Sequence, residues 1–141
     1  MNYILINAVP ILAAALAASV FAAAWYRLVE PGPVATDEGG ARRRWSPGLL
    51  LLVFLCEAWL AAILAGALIL APVEAGRWTV ALGSAGIIWV GFVLPVIAAT
   101  YRLRQLSWGA VLGDATHWLG AMLLMAAVLR LLGVEAPVPP R

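Results

Sequence analysis

Four long apolar stretches, separated by short polar breaks, restrict this chain more than any other feature. They run from Tyr3 to Tyr26, Gly48 to Ala71, Trp78 to Thr100 and Trp108 to Leu132. About 20 helical residues cross a hydrocarbon core about 30 Å thick. Backbone groups in lipid must be paired within their own segment, so each stretch reads as a transmembrane helix. Charged residues make up 11% of the 141 residues and hydrophobic ones 65%. A soluble domain carries about 25% charged residues and lacks the interior to hide so much apolar surface. The expected fold is therefore all-α: a four-helix transmembrane bundle with antiparallel neighbours. The spans use most of the chain, so residues 1–141 read as a single integral membrane domain. Ala22-Ala23-Ala24 resembles a signal-peptide cleavage site. No basic segment precedes it and the stretch exceeds a usual signal core, so the first span reads as retained.

The breaks predict the orientation. The first, residues 27–47, is rich in turn formers, with Pro31, Gly32, Pro33, Asp37, Glu38, Gly39 and Gly40. Pro72, Glu74, Gly76 and Arg77 mark the second break, Arg102, Arg104 and Gln105 the third. The tail holds Pro137, Pro139 and Pro140 and reads as extended. Loops one and three carry Arg27, Arg42, Arg43, Arg44, Arg102 and Arg104; the opposite side has Arg77, Arg130 and Arg141. Basic residues stay cytoplasmic, so loops one and three face the cytoplasm and both termini lie outside it. Trp25, Tyr26, Trp45, Tyr101 and Trp108 read as a cytoplasmic aromatic belt, with Trp78 as the outer anchor. Every basic residue is Arg, and Ala, Gly and Leu abound, a composition that suggests a bacterial inner membrane. The small net charge of +2 sits beside helix ends and points to topology, with no nucleic-acid surface. Cys56 stands alone, which excludes an intrachain disulfide and a thiolate cluster. Its mid-span position reads as a small buried hydrophobe.

Two short echoes suggest a parallel repeat of two helical hairpins. Ala23-Ala24-Trp25-Tyr26-Arg27-Leu28 echoes Ala98-Ala99-Thr100-Tyr101-Arg102-Leu103, and Trp59-Leu60-Ala61-Ala62 echoes Trp118-Leu119-Gly120-Ala121, at a different offset. The opening Met1-Asn2-Tyr3, the Trp25-Tyr26 pair, Trp89-Val90-Gly91-Phe92-Val93-Leu94-Pro95, and the run from Gly113 through Asp114 and His117 to Met122 carry a family resemblance. With these motifs the chain resembles a bacterial membrane family known as a domain of unknown function, DUF 1761. The resemblance spans the four stretches but not loop one or the tail. It implies a four-span fold and brings no activity, cofactor or catalytic residue.

Ionisable residues inside a bilayer are expensive and mark candidate sites. Three lie well inside a span: Glu57, Asp114 and His117. Glu57 is nine residues past Gly48 and His117 nine past Trp108, so both sit about 13 Å in from the cytoplasmic side. Asp114 precedes His117 by one turn on the same face. If spans two and four touch, the three can form one buried polar centre. Small-residue pairs, Gly109/Gly113 on span four and Ala62/Gly66 on span two, would permit that contact. Span one at this depth, Ala13 to Ala17, is nearly all Ala. Pro95 should disturb span three.

Three readings of the centre stand open: a polar network that only fixes helix packing in a structural or accessory subunit; a proton- or ion-coupled site for small-solute transport; and a divalent-metal site with oxygen and nitrogen ligands. A single His without an HExxH-type motif is a thin metal signature, and no cofactor is expected. Ser46 and Ser107 lie at the membrane edge and Ser84 lies far in depth from His117, so no nucleophile has an adjacent base and no enzyme is expected. Trp59, Trp89 and Trp118 could line a pocket or simply pack. Met122 and Met125 read as core filler, and Arg130 as a residue that snorkels to the interface. The expected partners are the lipid bilayer, a small-molecule or ion ligand, and a second copy joined through exposed Gly and Ala stripes. A transporter predicts a water-accessible cavity that reaches Glu57; an accessory subunit predicts a dry core.

Overall fold

The structure is a computed structural model that describes residues 2–28, 46–72 and 76–137. Met1, the loop residues Pro31 to Gly40 and Arg42 to Trp45, Glu74, and Pro139 to Arg141 lie outside the described residues. The elements in chain order are α1 (Asn2–Ile6), α2 (Ala8–Leu28), α3 (Pro47–Leu70), α4 (Arg77–Ile88), a π-helical turn (Trp89–Val93), α5 (Leu94–Leu103) and α6 (Trp108–Leu132). Among the described residues there is no strand. Four segments are long and apolar enough to cross a membrane: Ala8–Leu28, Pro47–Leu70, Arg77–Leu103 and Trp108–Leu132.

Local chemistry sets the helix ends. Ser46 and Ser107 are N-caps: the Ser46 hydroxyl accepts from the Leu49 amide and the Ser107 hydroxyl from the Ala110 amide, each at 3.2 Å. Pro47 follows Ser46 at the first helical position, where its missing N–H costs nothing. After α5 the chain turns through Gln105, at φ 59°, and the Leu106 amide closes back on the Tyr101 carbonyl at 2.9 Å. Pro95 disturbs its span one turn ahead of itself. Proline has no N–H for the carbonyl four residues back, and the ladder widens there so that the Leu94 amide bonds to the Trp89 carbonyl.

The first span is interrupted where the sequence reads as continuous. Asn7 separates α1 from α2 and is 1% exposed. Its Nδ2 donates to the Tyr3 carbonyl at 2.8 Å and to the Glu135 carbonyl at 2.9 Å, and its Oδ1 accepts from the Glu135 amide at 2.8 Å. One amide side chain thus holds the segment after α6 as a neighbouring strand would. The Tyr3 hydroxyl donates to the Ala62 carbonyl at 3.3 Å, and a Cβ on Gly66 would lie 3.2 Å from that hydroxyl. The Ala62/Gly66 pair therefore seats Tyr3. Gly109 is exposed and has only Ser107 of its own turn nearby, so it makes no helix contact.

Small residues dominate the core. Ala14, Ala15 and Ala18 of α2, Ala61 and Ala65 of α3, Ala81 and Ala85 of α4 and Ala121 and Ala126 of α6 are all fully buried. Such residues let helix backbones approach closely, the chief source of packing energy in lipid. Met122, Met125, Leu64 and Leu129 fill the remaining space. Helix α6 touches α2, α3, α4 and α5 and forms the centre of the bundle. Cys56 is exposed on the outer surface of α3, not buried. The buried stripe of α3 runs through Glu57, Ala61, Leu64 and Ala65, and Cys56 lies off it.

Candidate functional site

Spans two and four do touch, yet Glu57 and His117 both turn toward α2. The buried stripe of α2 advances by three or four residues through Ile11, Ala14, Ala15, Ala18 and Ala22. Ser19, Phe21, Trp25 and Tyr26 flank its C-terminal half, and these residues receive the ionisable groups.

Glu57 is fully buried. Ser19 donates its hydroxyl to Glu57 Oε2 in a short hydrogen bond, while Oε1 has no partner among the described residues. His117 is 3% exposed and sits in an aromatic shell. Phe21 stacks on it at 5.8 Å and 10°, Tyr26 tilts at 4.9 Å, Trp25 at 6.1 Å, and Trp118 meets it edge-on at 5.6 Å. Phe21 reaches the imidazole because Gly120 leaves room: a Cβ there would stand 2.7 Å from the ring. Among the described residues neither imidazole nitrogen has a hydrogen-bond partner, and neither does the buried Trp25 Nε1.

Asp114, one turn earlier on α6, is held differently. Tyr26 of α2 donates to its Oδ1 at 3.0 Å, and Tyr101 of α5 donates to its Oδ2 in a short hydrogen bond. His117 follows one turn later on the same helix. Between them, Trp89 Nε1 donates to the Ala115 carbonyl at 2.8 Å and ties the π-helical turn to α6.

The three residues thus form two neighbouring arrangements, Asp114 with His117 on α6 and Glu57 with Ser19 across α2 and α3. Among the described residues no hydrogen bond joins any two of them. No group of three His, Cys, Asp or Glu side chains among the described residues could hold a metal ion. Two of the belt aromatics, Tyr26 and Tyr101, face inward to Asp114, and Trp25 joins the shell of His117. Trp108 stays at the surface, with the Arg102 guanidinium 5.1 Å over its ring. The three mid-span tryptophans have separate roles: Trp59 is 59% exposed, Trp89 binds α6 and Trp118 packs on His117. The residues that sequence reasoning passed over, Ser19 and Phe21, carry one usable signal. They sit beside an alanine stripe at helical spacing, on the face that neighbours must cover.

Comparison with curated proteins and with solved structures returns no match. A family description covers nearly all of the bundle, from the start of α2 to the last turn of α6. By that match, over residues 9–130, the chain belongs to the family described as protein of unknown function (DUF1761).

Proposed function

We propose that this protein is a proton-coupled carrier of a small solute, in an occluded form here, with Glu57 and His117 as the groups that take up and release the proton. One observation carries this reading: two mid-span ionisable side chains are buried, and each keeps a polar atom without a partner among the described residues. An unpaired polar group in a dry interior is unfavourable and persists where its chemistry is used. Both groups face α2, so a shift of that one helix changes the surroundings of both. The alanine face of α2 is smooth enough to slide, and Asn7 interrupts the helix near its start. Asp114, braced by two tyrosines, positions the cytoplasmic end of the path. The proposed setting is a bacterial inner membrane, with Arg27, Arg102 and Arg104 on the cytoplasmic side and both termini outside.

Infrared difference spectroscopy of the protein in lipid, across a pH jump, tests this. The wild type should show a carboxylic acid band that appears and disappears with pH, lost in Glu57→Gln and kept in Asp114→Asn. A wild type with no such titrating band returns the centre to a structural role. That second reading, an accessory subunit whose polar groups fix packing, draws on one observation. Two cavities formed by the described residues are lined by neither Glu57 nor His117, which favours a dry core.

A further inference from the structure

Both described arginines on the sparsely basic side of the protein line one cavity. It measures about 450 Å³ and lies among the ends of α3 and α6 and the start of α4. Arg77 opens α4, and Arg130 reaches in from the last turns of α6. Arg130 Nε is buried and has no hydrogen-bond partner among the described residues, so the residue does more than snorkel to the interface. No acidic residue is among the described residues that line the cavity. The N-cap of α4 is Gly76, which has no side chain to satisfy the first-turn amides. Two arginines and the positive end of a helix therefore border one cavity whose described lining holds no acidic residue.

A second cavity of about 430 Å³ runs on from the first, and Ala71, Pro72 and Val80 line both. It follows the seam between α3 and α4, past Ala67, Gly83 and Ser84. Its rim is open: Leu70 is 85% exposed and Ile87 70%, on helices that face lipid. No charged residue is among those lining it. A polar pocket for an anion thus continues into an apolar channel that opens sideways to the membrane.

We infer that this composite cavity binds an anionic phospholipid, its phosphate between Arg77 and Arg130 and one acyl chain along the α3/α4 seam. A soluble anion would use only the first part, whereas an amphiphile uses both. Gly83 offers a selective probe. Gly83 lines the channel and a Cβ there meets nothing within 4 Å, so Gly83→Trp adds bulk at the channel wall from an uncrowded backbone position. The purified full chain in neutral detergent is titrated with phosphatidylglycerol, with phosphatidylcholine and with inorganic phosphate, and its melting temperature is followed. Phosphatidylglycerol should raise it well beyond phosphatidylcholine. Arg77→Gln and Arg130→Gln should each weaken that response roughly fivefold, and Gly83→Trp should weaken it with both arginines intact. Equal responses to the two lipids overturn the assignment, as does a phosphatidylglycerol response that survives both arginine changes. A full response to inorganic phosphate, unaltered by Gly83→Trp, makes this a free-anion site and overturns the lipid reading. Arg77 is exposed at a helix start, so its variant serves if Arg130→Gln does not fold.

Discussion

Asp114 and His117 stand one turn apart on α6, and their surroundings are opposites. Each carboxylate oxygen of Asp114 accepts a phenol hydroxyl, one from α2 and one from α5. Asp114 thereby joins three spans through two side-chain hydrogen bonds. His117 is more deeply buried, is enclosed by four aromatic rings, and has no partner on either nitrogen. The lesson is that burial and satisfaction are separate properties. The satisfied carboxylate looks like architecture, whereas the unsatisfied imidazole costs stability and needs another reason to be there. Glu57 lies between these extremes, with one oxygen paired and the other bare.

Three substitutions sharpen or break this contrast. The largest effect is expected from Gly120→Ala, whose new methyl group collides with Phe21 and pushes it off His117. Overpacking of this kind costs about 1–3 kcal/mol, and a calorimetric unfolding scan in detergent would register it. An unchanged scan would mean that the aromatic shell is loose and that the stacking does not hold the imidazole. Next comes Asp114→Ala, which strips two tyrosines of their shared acceptor. Hydrogen bonds within membranes average about 0.6 kcal/mol and reach about 1.7, so a loss of about 1–2 kcal/mol should appear in steric-trap or denaturant unfolding. If stability holds, the phenols have other partners and the bracing role fails. The smallest effect belongs to His117→Leu, which removes two unpaired nitrogens from a dry interior. Its stability should stay within about 1 kcal/mol of the wild type or rise, because an apolar group of similar size suits an apolar site. A clear loss of stability would show that the imidazole is structural after all.

Much of the bundle was legible in the chain before any coordinates. Lipid permits few backbone solutions, so four long apolar stretches imply four helices, and the breaks at Pro72, Gly76 and Arg104 follow from turn chemistry. Pro95 announced a disturbance in its helix. The three mid-span ionisable residues were equally visible, since charge inside an apolar run stands out. Their partners were not. Ser19 and Phe21 look ordinary in an alanine-rich helix, and Trp25, Tyr26 and Tyr101 have the position and chemistry of interfacial anchors. Asn7, a single polar residue near a terminus, gave no hint that it would clasp Glu135 from the far end of the chain.

Sequence alone therefore determined the four apolar helices, long enough to cross a membrane, and the identity of the ionisable residues within them, because transfer free energy and backbone hydrogen bonding act residue by residue. Only the tertiary structure decided which residues meet. Helix rotation depends on small residues that set how closely backbones approach, and in lipid no general hydrophobic drive orients one apolar face over another. Rotation about the α2 axis is what turned Tyr26 inward to Asp114, brought Ser19 to Glu57 and closed Phe21 over His117. Those contacts separate a braced carboxylate from a bare imidazole one turn away.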